Sequence, residues 1–491
     1  MSTPGSEPST TAAGEHHGGP SHSAATAALL AGAAALGGFL FGYDSSVING
    51  TVDALKDTFH LSGFAVGFVV SAALLGCAAG AWFAGPIGDR IGRVKVMLAA
   101  SALFVISSLG SAFAFSAVDL TAWRLVGGLA IGAASVIAPA YIAEIAPAEL
   151  RGRLGSLQQM AIVLGIFAAL VVDYVIAQVS DGGATGTFPW GGGAWRWMFA
   201  SAAVPAVFWG VIATTIPESP RYLVKKHKMN DARRVLARVM GRGDVDGKIK
   251  DIVRSIAEDR PVHLRDLRGS RLGLLPIVWV GILLSVFQQF VGINVIFYYS
   301  SSLWQAVGFS ESNAMLTSVI NSIVNVAFTL VAIALVDRVG RRPLLLGGAA
   351  GMALSLGTLT VCFSTAHVVD GKPELSGAAG PIALVAANVF VAAFAATWGP
   401  VVWVMLGEMF NNFIRASALA VAAAAQWLAN WVVTTTFPGI SGFSLSLAYG
   451  LYTAFSVLAF FFVIRAVPET KGRELEDMDH LERPRSRAAR A

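Results

Sequence analysis

Twelve apolar runs, each about 20 residues long and almost free of charge, leave this chain few ways to fold. They cover residues 26–48, 64–86, 94–115, 119–143, 155–179, 196–216, 272–300, 314–336, 343–364, 379–406, 416–437 and 447–467. About 20 apolar residues is the length at which a helix crosses the hydrocarbon of a bilayer. Inside lipid every backbone N–H and C=O must be satisfied internally, so only helices and closed barrels span it. Barrel strands would alternate apolar and polar residues over about ten positions. These runs are instead continuous and rich in Ala, Gly, Leu and Val, which makes them helices. Composition agrees, because 55% of the 491 residues are hydrophobic and 13% are charged, against about 25% charged in a soluble chain. The fold class is an all-α polytopic membrane protein. Cys77 and Cys362 fall inside spans 2 and 9 and are expected to be small packing residues without a disulfide.

The formal charge of +5 could suggest a nucleic-acid partner, but its placement points to a membrane. With both termini inside, thirty of the 35 Lys and Arg fall in inner segments, and only Lys56, Arg196 and Lys372 lie in outer loops. That asymmetry is the positive-inside pattern of a multi-pass protein with cytoplasmic termini. Residues 1–25 are polar and lack Lys and Arg, so they are expected to be a disordered head. ALLAGAAALGG lacks the basic leader of a signal peptide and is kept as span 1. No metal site or cofactor is expected. His16, His17 and His22 in the head are not taken as ligands.

Short signatures recur in the same order in each half. GDRIGR (88–93) pairs with VDRVGRR (336–342), EIAPAELR (144–151) with EMFNNFIR (408–415), and PESPR (217–221) with PETKGR (468–473). They follow spans 2, 4 and 6, then 8, 10 and 12, as expected of two duplicated six-helix halves. The chain therefore divides into a head (1–25), a first half (26–216), a cytoplasmic helical linker (217–271), a second half (272–467) and a tail (468–491). In the linker, YLVKKHKMNDARRVLARVMG and DGKIKDIVRSIAED show apolar residues at three- and four-residue spacing, which predicts short amphipathic helices. Duplicated halves mark rocker-type transporters with a midplane site between them.

All six copies sit at one face, where Asp89, Arg90, Arg93, Glu144, Arg151, Glu218 and Arg221 face their counterparts Asp337, Arg338, Arg341, Arg342, Glu408, Arg415 and Glu469. Such pairs make poor glue because desolvation offsets attraction. They suit a latch that forms when the outer side is open and breaks when the inner side opens. Topology signal alone would need only Arg and Lys, not acids at fixed spacing. Gly76 with Gly80 in span 2 and Gly128 with Gly132 in span 4 are spaced for close helix contact.

These motifs, together with RLVGGLAIGAASVIAPAYIAE, FQQFVGINVIFYYS and WGPVVWVMLGEMF, resemble the sugar porter family of the major facilitator superfamily over residues 27–475. The resemblance is greatest to bacterial sugar–proton symporters of the xylose and glucose type. It implies a major facilitator fold of twelve helices in two six-helix halves, moving a monosaccharide by alternating access. One departure is GRVK in the first turn where many members have GRR, with Lys95 keeping a charge.

A sugar needs uncharged bidentate donors and acceptors for its hydroxyls and flat aromatic surfaces for its C–H faces. The spans hold such groups: Gln158 and Gln159; Gln288, Gln289, Asn294, Tyr298 and Tyr299; Asn321 and Asn325; Trp398; Gln426, Trp427 and Asn430. Gln426 and Asn430 share a helix face, as do Asn321 with Asn325 and Asn294 with Tyr298. Gln289 and Asn294 are five apart, about 140° on an ideal helix, so both reach one ligand only if the helix bends, with Gly292 as the expected place. By resemblance the sugar ligands fall on Gln159, Gln288, Gln289, Asn294, Asn325, Trp398, Gln426 and Asn430, with Tyr298 and Trp427 as cavity wall or gate. The competing explanation is interhelical hydrogen bonding at about 0.6 kcal/mol each.

Asp44, in FLFGYDSSVING, is a carboxylate at membrane depth and so a functional candidate. Arg124 in span 4 is its basic counterpart, and Arg stays charged. Burial favours the neutral acid and a nearby Arg the anion. If the two separate during rocking, Asp44 takes up a proton on one side and releases it on the other. A static ion pair is the alternative. The resemblance supports coupling, since symporters of the family carry Asp here and passive carriers commonly a neutral residue. The expected function is proton-coupled monosaccharide import by a monomer in the cell membrane. A passive facilitator is the alternative, followed by a transporter-like sugar sensor, for which a long signalling tail would be expected. No nucleophile–base pair, metal cluster or phosphate loop suggests an enzyme.

Overall fold

The computed structural model describes residues 22–145, 151–240, 244–258, 267–269, 273–369, 372–375, 377–410 and 414–471. The polar head and the basic tail lie almost wholly outside these residues. Twelve helical segments are long and apolar enough to span a membrane. In the first half they are α1 (His22–Phe59), α2 (Gly63–Ile91), α3 (Arg93–Ala112), α4 (Ala117–Ile145), α5 (Arg151–Val179) and the pair α6 (Ala194–Ser201) and α7 (Ala203–Thr215). Three short helices follow, α8 (Pro220–Lys225), α9 (Met229–Met240) and α10 (Val245–Glu258). Leu223, Val224, Ala232 and Val235 form their own small core, as the linker's periodicity predicts.

The second half runs α11 (Pro276–Phe290), α12 (Ile293–Ala306), α13 (Glu311–Val339), α14 (Arg341–Ser364), α15 (Ala379–Ala396), α16 (Trp398–Met409), α17 (Arg415–Phe443) and α18 (Leu445–Ala466). A two-stranded hairpin, His367–Val369 against Lys372–Glu374, joins α14 to α15. Large apolar side chains such as Trp82, Phe83, Phe208 and Phe461 are more than half exposed. On a soluble protein that belt would drive aggregation; it suits a chain whose helices span a membrane.

Within the first half, small residues let backbones meet. A Cβ added at Gly76 would stand 2.2 Å from the Leu125 carbonyl oxygen, and one at Gly128 2.0 Å from that of Ala73. Gly80 and Gly132 extend the same α2–α4 seam, at 2.2 and 2.1 Å from Leu129 and Cys77. The α1–α5 seam is built alike, with Gly42 against Ile162 and Gly165 against Phe39. Both cysteines are free and buried.

The halves meet through α1 on α12, α2 on α17 and α5 on α13. The polar contacts across this boundary gather at the face opposite the DRxGR turns. Asn49 Nδ2 donates to the Phe297 carbonyl (3.0 Å) and to Ser300 Oγ (3.1 Å). Asp53 accepts from Ser302 Oγ (2.8 Å) and Gln305 Nε2 (3.1 Å). Ser71 and Thr435 hydroxyls lie 2.6 Å apart, and Gln178 donates to Ser312 at 2.5 Å. That face is closed in this structure.

Candidate functional site

The duplicated signatures produce one constellation twice. Gly92 and Gly340 end α2 and α13 with φ of +104° and +102°, where a side chain would be strained. Each turn delivers an arginine, Arg93 or Arg341, to the first position of the next helix. Arg93 makes a two-pronged contact with Glu144, Nε to Oε2 at 3.1 Å and Nη2 to Oε1 at 2.8 Å. Arg341 does the same with Glu408 at 3.0 and 2.7 Å. Glu218 accepts the Arg93 N–H (2.9 Å). Glu469 accepts the N–H groups of Arg341 and Arg342, both at 3.0 Å. Ser219 then bonds Glu144, and Thr470 bonds Glu408. A carboxylate at a helix N-terminus satisfies otherwise orphaned donors, so the acids after spans 6 and 12 are caps.

Around this frame, Asp89 pairs with Arg93 (2.7 Å) and Lys225 (2.9 Å). Arg221 donates to Ser255 (3.2 Å), while the Arg90 and Arg338 carbonyls accept from Tyr222 and Lys471. The side chains of Arg151, Asp337 and Arg415 lie outside the described set. Burial pushes the Glu469 carboxyl up, but the backbone N–H groups of Lys471, Arg341, Arg342 and Thr470 outweigh it and hold it below its ordinary range.

Arg93–Glu144 and Arg341–Glu408 are formed here while the face opposite the motifs is closed. Among the described residues each pair joins helices of one half, so tilting one half against the other need not break it.

Asp44 and Arg124 meet as the spans predict, Nη1 to Oδ1 at 2.8 Å, with 6% and 4% of their surfaces exposed. The guanidinium lies over the Phe199 ring at 5.8 Å, and its Nε has no partner. A cavity of about 10 Å³, near the lower limit for one water, is lined by Asp44, Arg124, Ser45, Cys77, Phe41 and Tyr298. Tyr298 belongs to the second half and lies beside Asn430 and Ser45. It thus stands between the acidic pair and the amide-bearing helices.

The bend predicted at Gly292 is present. Gly292 has φ +84° between α11 and α12, and across it Asn294 Nδ2 donates to Gln289 Oε1 at 2.5 Å. Gln289 in turn donates to Gln288 Oε1 (3.3 Å). Gln288 Nε2 donates to the carbonyls of Trp398 (2.9 Å) and Gly399 (3.1 Å). The amides therefore form a ladder from the break in span 7 to a second break in span 10, at Thr397 (φ −138°, ψ −87°). Helix breaks in a membrane need their freed backbone groups satisfied, and at the second break Thr397 Oγ1 donates to the Ala393 carbonyl at 2.6 Å.

Trp398 is fully buried and donates its indole N–H to the Leu345 carbonyl at 2.8 Å. Asn430 accepts from Thr434 (3.1 Å), and Asn325 is buried at 5% exposure. Gln159, Gln426 and Trp427 are half-buried. Oε1 of Gln158 and Gln426 and both polar atoms of Asn321 are buried without a partner among the described residues. Trp427 meets Phe41 edge-on at 5.5 Å across the boundary between halves.

Two groups have no counterpart among the residues expected from sequence. Asn49 and Asp53, at and just beyond the end of FLFGYDSSVING, carry the closed face; polar residues continuing past an apolar run on a helix are the sign that points to them. Asp173, inside the apolar run VVDYV, is 2% exposed. The rule that singles out Asp44 applies to it equally.

The family model "Sugar (and other) transporter" matches residues 30–481. A glucose transport protein of Synechocystis sp. is 54% identical over 451 residues, covering 92% of this chain and 96% of that protein. The D-xylose-proton symporter of Escherichia coli is 38% identical over 489 residues, covering 92% and 95%. The inward open conformation of the xylose transporter XylE from E. coli superposes with a TM-score of 0.78 at 36% identity, over 92% of this chain and 98% of that one. The duplicated charge frames, the two broken helices and these matches agree: the chain belongs to the sugar transporter family.

Proposed function

We propose that this protein is a secondary active transporter that imports a monosaccharide, a hexose such as glucose or a pentose such as xylose, together with a proton. The single observation that carries the proposal is the buried Arg124–Asp44 pair in a cavity shared with Tyr298. A carboxylate at membrane depth beside a permanent cation is a means of exchanging a proton. Tyr298 connects it to the helices that present Gln289, Asn294 and Asn430. Sugar hydroxyls would replace the bonds those amides now make to one another, and the Gln426 oxygen would gain a partner.

The proposed protein works as a monomer in the cell membrane, with both termini on the cytoplasmic side, an orientation that the distribution of Lys and Arg favours. Two units, 26–216 and 272–467, rock about the sugar, with 217–271 as the linker between them. In that orientation the closed face is the outer one. Each proton entering is driven by about 2.3 kcal/mol per 100 mV, enough to concentrate an uncharged sugar more than tenfold. Asp44→Asn tests the assignment in whole cells. Uphill accumulation should vanish while exchange of sugar down its gradient persists; accumulation at the unsubstituted level would refute it.

A further inference from the structure

Among the described residues two carboxylates are buried, Asp44 and Asp173. Asp44 has Arg124; Asp173 has no ion-pair partner among them. Its Oδ2 accepts the Gly50 N–H at 3.3 Å, and its Oδ1 has no partner among the described residues. The contact is close enough that a Cβ at Gly50 would lie 2.9 Å from the carboxyl carbon.

The seam that holds Asp173 contains a second unsatisfied group. Tyr43, Ser46 and Gly50 are spaced i, i+3 and i+7 and share one face of α1. Ser46 is fully buried and its hydroxyl has no partner among the described residues. An ionised carboxylate buried in this way, with one weak donor, costs far more than the neutral acid. The neutral acid also gains an O–H donor.

The elements around α5 present few titratable groups that could offset a charge. Tyr43 on α1 lies in the field of Asp173 and bonds Ser201 at 2.8 Å. Arg124 on α4 is committed to Asp44. Arg196 on α6 bonds the carbonyls of Ala112 and Ala114. Glu311 on α13 bonds the Ala184 N–H, and Asp181 follows α5 in the chain.

Position gives this group a role. Gly50 lies between Asn49 and Asp53, which close the face opposite the motifs. Both helices flanking Asp173 are covered by the second half, α1 by α12 and α5 by α13. Separation of the halves at that face uncovers their seam to water.

We propose that Asp173, set between α1 and α5 beneath the closed face, is a second proton-binding site, neutral while that face is closed and ionised when it opens. The inference rests on the rocking proposed above, but not on the sugar's identity or on coupling through Asp44. Its sign follows from the chemistry: the proton favours the closed arrangement, so opening increases as pH rises.

The test uses reconstituted full-length Asp44→Asn protein with Cys77 and Cys362 replaced by Ala and spin labels at Val118→Cys and Leu447→Cys. Both label sites are exposed, one at the start of α4 and one at the start of α18. Pulsed dipolar spectroscopy reads the population with these ends apart. That population should rise with pH, by at most about tenfold per unit for one proton. Adding Asp173→Asn should flatten the dependence, and Asp173→Glu should restore it. A pH-insensitive Asp44→Asn protein, or a slope that survives Asp173→Asn, overturns the proposal. Infrared spectra of the Asp44→Asn protein serve even if the Asn variant misfolds. A protonated-carboxyl band lost on alkalinisation is expected, and its absence at neutral pH refutes the site. Failure of proton-driven sugar uptake with the slope intact would sink the coupling through Asp44 and leave this site standing.

Discussion

Asn294 donates to Gln289 across the break at Gly292, and on the proposed function a bound sugar takes over these groups, so truncating either amide leaves a buried sugar hydroxyl without its partner. An unsatisfied buried polar group costs about 1–3 kcal/mol. Gln289→Ala or Asn294→Ala should therefore weaken sugar binding by tenfold or more without lowering the amount of folded protein. Calorimetric titration with glucose or xylose checks this; unchanged binding would show the amides to be interhelical ties. Glu469 makes a prediction of a different kind. Its folded carboxyl is held below the ordinary range, so its stabilisation is complete above the unfolded value of about 4.3. It is lost as pH falls through the folded value. Glu469→Gln should lower the thermal midpoint at neutral pH, and the difference from the unsubstituted protein should shrink toward zero in acid. A difference independent of pH would mean that shape, not charge, makes this cap.

At the scale of elements, the two broken spans are unequally legible in the sequence. Gln289 and Asn294 cannot face one ligand from a straight helix, and Gly292 between them marks the bend from spacing alone. The break at Thr397 gives no such sign, because span 10 reads as one apolar run. Its one cue is Pro400, which lacks an N–H and suits the first turn of α16, but Pro86, Pro139 and Pro438 lie inside unbroken helices. The Gly76/Gly80 and Gly128/Gly132 spacings foretell the α2–α4 seam, whereas the contacts of Asn49 depend on where the halves meet, which local spacing does not encode. Gly292→Ala tests the first break. A left-handed non-glycine residue costs about 1–2 kcal/mol, and the new Cβ would stand 2.6 Å from the Tyr452 ring. The thermal midpoint should fall and sugar binding weaken with it. A variant as stable as the parent would show that the bend does not need glycine.

The whole molecule is two copies of one plan, and the atoms repeat it. Arg93 and Arg341, Glu144 and Glu408, Glu218 and Glu469, and Ser219 and Thr470 occupy matching places. Because these bonds lie within a half, each half can move as a rigid body, and on the proposed rocking the contacts exchanged would be those of Asn49, Asp53, Ser71 and Gln178 at the opposite face. The first half contributes the Asp44–Arg124 pair and the second half meets it through Tyr298, an arrangement in which tilting can change both at once. Purified protein in sealed vesicles, given an imposed pH gradient and labelled glucose or xylose, tests that claim most directly. The account predicts accumulation above the external concentration that collapses when a protonophore is added, and a contradiction would be uptake that stops at equal concentrations whether or not the gradient is present.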